Sequence, residues 1–147
     1  MNNIAYSHRP VAGISIGAVN KDGKLYFAAA LTNSGLSLGG NYDPERHDIF
    51  SRKQARMIIN GRLEKMMETA DPSEQYHLGL CFETDMSGRE FMQKMRPRFK
   101  PCPVESDDTF WYEVNVLGTE VTGRISPQEI WMLLANTANE LVSGVQV

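Results

Sequence analysis

A chain of 147 residues, 41% hydrophobic and 22% charged, can bury one sizeable core and is too apolar for a disordered tail. Its net charge of −3 argues against a general nucleic-acid coat, which would be basic, and is too small for a DNA mimic. Two cysteines, Cys81 and Cys102, make no disulfide framework and no CxxC pair. With no basic, then apolar, leader and no membrane-length apolar run, a cytoplasmic location is expected, the host cytoplasm if the source is viral.

Val11 to Val19 is apolar and leads into Asn20-Lys21-Asp22-Gly23. The Asp-Gly pair is a hairpin signal, so this run and Leu25 to Leu31 are expected as antiparallel neighbours. Both are apolar at nearly every position, which places them centrally with helix over at least one face. Thr32 to Asp48 is polar and glycine-rich and is expected as a long loop. Gly39-Gly40 would let backbone approach a ligand, although the spacing fits neither a dinucleotide fingerprint nor a P-loop.

Ser51, with Gln54 three residues on, is expected to cap a helix from Phe50 to Ala70, which Asp71-Pro72 stops. Tyr76 to Glu83 reads as a strand, and Ser87 with Glu90 opens a short helix that Pro97 must end or kink. After a loop of prolines and acids, Pro101 to Asp108, Thr109 to Val116 is a strand by its aromatics and β-branching. Leu117 to Glu120 turns it back into Val121 to Ile125. The last helix starts with Ser126 as cap, Pro127 in the first helical position and Glu129 closing the box, and Gly144 ends it. The order ββαβαββα describes a single α+β domain over residues 1–147, an antiparallel sheet of about five strands with two or three helices packed on one face.

On a helical wheel Ala55, Ile59, Leu63, Met66 and Ala70 form the buried stripe of the first helix, with Ile58 at its side. Lys53, Gln54, Glu64, Lys65 and Glu68 point to water. Arg52, Arg56 and Asn60 follow at i, i+4 and i+8 along one flank of the stripe, and Arg62 lies on the other. Flank arginines bury their stems and aim a planar guanidinium at whatever lies beside the helix. Two of them one turn apart, near an amide-rich helix N-terminus, suit a phosphate or carboxylate. The competing reading pairs them with acids of the preceding loop, Asp43, Glu45 or Asp48.

A second basic segment, Lys94, Arg96, Arg98 and Lys100, is threaded by Met95, Pro97, Phe99 and Pro101. If extended, it would set charges on one face and Phe99 on the other, as a nucleotide requires; the alternative is a solvated loop anchored by Phe99. In Phe110-Trp111-Tyr112 the outer two share a face and Trp111 takes the opposite one, for core packing or as a stacking platform. His8, His47 and His77 are scattered, the acids Glu83, Asp85, Asp107 and Asp108 lack a third metal ligand, and no nucleophile motif occurs. A binder with no cofactor, rather than an enzyme, is expected.

The stretch Asp48-Ile49-Phe50-Ser51-Arg52-Lys53-Gln54-Ala55-Arg56-Met57-Ile58-Ile59-Asn60-Gly61-Arg62-Leu63 resembles the first helix of small phage accessory proteins, in particular the Thoeris anti-defence sponge family. The resemblance covers roughly one helix and a strand before it. It implies a compact α+β protein that sequesters a cyclic nucleotide immune signal without cleaving it, as a homo-oligomer with nucleotides between protomers. On the matching motif it carries over Arg52, Arg56 and Arg62. Two other classes stay open. One is an inhibitor that blocks a host defence protein, of anti-restriction or anti-CRISPR type, through the Thr32 to Asp48 loop and the methionines. The other is a single-stranded nucleic-acid binder, which the negative net charge disfavours.

Overall fold

The computed structural model of the chain describes residues 3–9, 14–31, 34–36, 42–47, 51–69, 78–95, 102–106, 109–116, 119–123 and 127–143. In chain order these form β1 (Ala5–Arg9), β2 (Ile14–Lys21), β3 (Lys24–Leu31), β4 (Ser34–Leu36), β5 (Tyr42–His47), α1 (Arg52–Thr69), β6 (Gly79–Glu83), α2 (Gly88–Met95), β7 (Cys102–Ser106), β8 (Thr109–Val116), β9 (Thr119–Gly123) and α3 (Pro127–Ser143). The strands pair antiparallel as a four-stranded sheet β1-β2-β3-β6, a ribbon β4-β5 and a three-stranded sheet β7-β8-β9.

The four-stranded sheet grows from the Asp22-Gly23 turn. Both residues have positive φ, 54° and 80°, and Lys21 faces Lys24 across a two-residue loop. That backbone matches the twist of the flanking strands, which is why Asp-Gly announces a hairpin so strongly.

Alternation then divides the core in two. Ile14, Ile16, Ala18, Leu25, Phe27 and Ala29 join Phe91, Met92 and Met95 of α2 and Leu134 and Ala138 of α3 in one buried cluster. Val19, Tyr26, Ala28 and Ala30 join Ala55, Ile59, Leu63 and Met66 of α1 in a second. The sheet is therefore covered on both faces, α1 on one and α2 with α3 on the other, not on one face as expected. The cause is visible in β2 and β3, each buried at six consecutive positions. A strand with one wet face would have alternated. Within the cluster on the α2–α3 face, the Phe27 ring packs against Phe91 at 5.0 Å and Trp131 at 5.4 Å between centroids.

The helix starts follow the caps. Ser51 Oγ accepts from the Gln54 amide at 3.2 Å, Ser87 Oγ accepts from the Glu90 amide at 3.1 Å, and Pro127 is the first residue of α3. In α1 the expected stripe is buried at Ala55, Ile59, Leu63 and Met66, while Ala70 lies outside the described residues. Burial of Ile59 and Leu63 alone contributes about 1.5–3 kcal/mol each.

Three stretches differ from expectation. β1 adds an edge strand ahead of the first hairpin, too short and too polar to stand out from periodicity. The expected loop from Thr32 to Asp48 contains the β4–β5 ribbon, and Pro44 hid β5. The stretch Pro101 to Asp108, expected as loop, contains β7, which lies on the outside of its sheet. A two-stranded ribbon and an outer strand each have one edge that donates no ladder bond, so a proline without N–H is tolerated in both. The described sheets thus exceed the expected five strands, and ββαβαββα is not the order observed.

Candidate functional site

β1 reads Ala-Tyr-Ser-His-Arg, and the alternation of a strand separates these residues by face. Tyr6 stands opposite Gly17 and His8 opposite Ser15, on the side of the sheet that α1 covers. Gly17 makes this approach close. A Cβ there would come within 2.7 Å of Ile59 Cγ2 and 3.3 Å of Tyr6 Cδ1, so the bare backbone seats α1 down beside β1.

The flank of α1 carrying Arg52, Arg56 and Asn60 then runs along the edge strand. The Tyr6 hydroxyl donates to Asn60 Oδ1. The Arg56 guanidinium lies over the Tyr6 ring, 5.0 Å from its centroid, and its Nε donates to His8 Nε2 at 3.2 Å. His8 Nδ1 is 2.7 Å from Ser15 Oγ, and the Tyr6 and His8 rings stack at 6.3 Å with 11° between their planes. Because His8 Nε2 accepts from Arg56, the neutral ring carries its proton on Nδ1 and donates it to Ser15. Burial, then the positive charges of Arg56 and Arg52, hold the His8 pKa below its ordinary value.

Arg52 opens α1 directly after the Ser51 cap and is exposed. Among the described residues, neither Arg52 nor Arg56 has a carboxylate within ion-pair distance. Of the acids weighed as their partners, Asp48 lies outside the described residues, as do the side chains of Asp43 and Glu45 on β5. The rim thus gathers two guanidinium groups, a neutral imidazole that can take a proton, and an aromatic face. It can hold an anion by charge-assisted hydrogen bonds.

Two of the other sequence candidates, Arg62 and Lys94, are placed away from this rim. Arg62 sits on the opposite flank of α1, where its Nη1 donates to the Ala29 carbonyl of β3 and burial lowers its pKa. That bond ties α1 to the sheet. Lys94, expected to begin an extended basic stretch, is instead in the last turn of α2 and pairs with Glu90 at 3.5 Å. Arg96, Arg98 and Phe99 lie outside the described residues. Trp111 is on β8, opposite Val104, in a different sheet from β1, and its side chain lies outside the description.

Sequence reasoning missed Tyr6, His8 and Ser15. The segment Ala5 to Arg9 is short and polar and gives no periodic signal; only its pairing with β2 sets Tyr6 and His8 on one face. Among the described residues no cluster of three or more His, Cys, Asp or Glu could hold a metal ion, and no described helix is long and apolar enough to cross a membrane. Comparison with protein-family models, curated proteins and solved structures returns no match.

Proposed function

We propose that this chain binds an anionic nucleotide at the rim between α1 and β1 and sequesters it without cleaving it. One observation carries the reading: Arg56 is held in place by the Tyr6 ring and by His8, one helical turn from the exposed Arg52. A guanidinium fixed before its ligand arrives loses little rotamer freedom on binding, and a second one a turn away gives a phosphate two forks. Through the resemblance of the α1 segment to the sponge family, the proposal extends to a phage setting in which the nucleotide is a host immune signal. Arg96, Arg98, Phe99 and Trp111 would supply contacts to the rest of the ligand, across a homo-oligomer interface as in that family.

The test is calorimetry and thermal shift with cyclic mono-, di- and trinucleotides, cyclic ADP-ribose isomers and linear nucleotides. A ligand at a hundred times its Kd stabilises the folded chain by about 2.7 kcal/mol, roughly 5–11 °C for a domain of this size. Arg52→Ala and Arg56→Ala should each weaken binding about 10- to 100-fold, the loss of a charge-assisted bond. Chromatography of the released ligand should recover it intact. Silence from the whole panel at saturating concentration overturns the proposal, and a cleaved ligand overturns sequestration.

A second reading, a protein-contact surface that blocks a host protein, has one observation in its favour. Met57 is 65% and Ile58 39% exposed on α1, away from the arginine flank. Recovery of one stoichiometric protein partner that Met57→Lys abolishes, with no nucleotide bound, would select this reading.

A further inference from the structure

We infer that an anion bound at the rim brings a proton with it, taken up by His8, which becomes a third ligand beside Arg52 and Arg56. The inference rests on the anion-binding reading and adds its chemistry. In the free protein Arg56 Nε donates to His8 Nε2, while His8 Nδ1 and Ser15 Oγ share a bond of 2.7 Å. The Arg56 Nε–H is thus spent on His8 and the His8 Nδ1–H on Ser15, so the neutral imidazole offers an anion no N–H, while the Arg56 Nη groups are not part of either bond. Protonation of His8 changes that. Nε2 then carries a proton, the contact becomes donor against donor, and both groups turn to an acceptor placed between them.

The charges around His8 set the direction of the coupling. From α1 it faces Arg56 and Arg52; from its own strand the Tyr6 ring; from β2 Ser15, with Ala30 of β3 beyond in the same register. Arg56 and Arg52 are both cationic, and they oppose a proton on it. An anion between the arginines cancels that opposition and adds its own attraction. The bound state accordingly takes up to one proton per site from solvent, and by linkage a fall in pH tightens binding. The window opens above the pKa of His8 in the free protein and closes above its higher value in the complex. Within it affinity gains up to tenfold per pH unit.

The probes are 3′,5′-cyclic AMP and cyclic di-AMP, whose phosphodiesters keep their charge from pH 5.5 to 8, so that any pH dependence belongs to the protein. Calorimetry on the full chain, in two buffers of different ionisation enthalpy, gives Kd and the proton count together. The expected result is a several-fold gain in affinity per unit fall in pH within that window, with buffer-dependent enthalpy reporting uptake. His8→Gln, whose amide oxygen can still accept from Arg56 but cannot titrate, should bind with a flat profile. Imidazole NMR of the wild-type chain should show the His8 pKa rising when ligand is added, a readout independent of the variant's folding. Binding that is flat in pH, or an equal slope in a folded His8→Gln, overturns this inference and leaves the anion site standing. Failure of the wild type to bind either probe at any pH overturns the site for these ligands and the inference with it.

Discussion

The Tyr6 hydroxyl donates to Asn60 Oδ1, fastening the edge strand β1 to the middle of α1, while the same ring carries the Arg56 guanidinium. One side chain thus has two separable roles. Tyr6→Phe keeps the ring and deletes the bond, and should lower stability by about 0.5–1.5 kcal/mol in denaturant titration. Its ligand affinity should stay within a few-fold of wild type. Tyr6→Ala also removes the platform and should weaken binding further, by an additional factor of about 2 to 5 for an exposed cation–π contact. Equal binding by Phe and Ala variants would rule out the ring as the support of Arg56.

The His8 environment predicts a pH dependence of folding. Its pKa is lowered in the folded chain, by burial first and then by Arg56 and Arg52, so between that lowered value and about 6.5 the unfolded chain binds more protons. Stability contributed by neutral His8 is therefore fully present above about pH 6.5 and is lost as pH falls towards the folded-state pKa. Denaturant midpoints at pH 7.5 and 5.5 should fall further for wild type than for His8→Gln. Carboxylates titrate in both proteins, so the difference between the two falls isolates the imidazole.

Gly17 sets the distance between sheet and helix. Gly17→Ala should destabilise by about 1–3 kcal/mol, because the new methyl meets Ile59 Cγ2 and the sheet cannot yield. The double variant Gly17→Ala/Ile59→Ala should be less destabilised than the sum of its parts, by about 0.5–3 kcal/mol in a mutant cycle. Additive losses would show that the two side chains do not compete for one space.

Asn20 predicts a local defect on the other side of the molecule. Its Nδ2 donates to the Thr84 and Met86 carbonyls, both at 2.7 Å, and so holds the connection between β6 and α2 against β2. Asn20→Ala should cost about 1–3 kcal/mol by leaving those acceptors unsatisfied. Hydrogen exchange should quicken first at residues 84–91 and leave the amides of α1 unchanged. Uniform acceleration along the chain would deny the clamp its local role.

The sequence by itself determined the elements whose signals are local. Asp22-Gly23 fixed the hairpin, the Ser51 and Ser87 caps and Pro127 fixed where helices begin, and the 3.6-residue spacing of α1 separated a buried stripe from the Arg52–Arg56–Asn60 flank. These depend on backbone preferences and on periodicity within one element, which neighbouring residues alone can specify. The apolar runs of β2 and β3 placed them centrally with helix over at least one face; that helices cover both was decided by the packing. β1, the β4–β5 ribbon and β7 escaped because short polar or proline-bearing strands are defined by the partner they pair with, not by their own pattern.

The site divides in the same way. Arg52 and Arg56 were legible as a ladder, but what stood beside it was not. Nothing local links Arg56 to His8, 48 positions away, or Asn60 to Tyr6, 54 positions away. The antiparallel register of β1 on β2 and the close seating of α1 over Gly17 bring them together, and only tertiary structure decides both. The same packing turns Arg62 to the Ala29 carbonyl, because a residue on the far flank of α1 meets β3 rather than β1. Side-chain chemistry was written in the sequence; which groups share a charge, a ring or a proton was settled by the fold, since electrostatic coupling depends on distance in space and not along the chain.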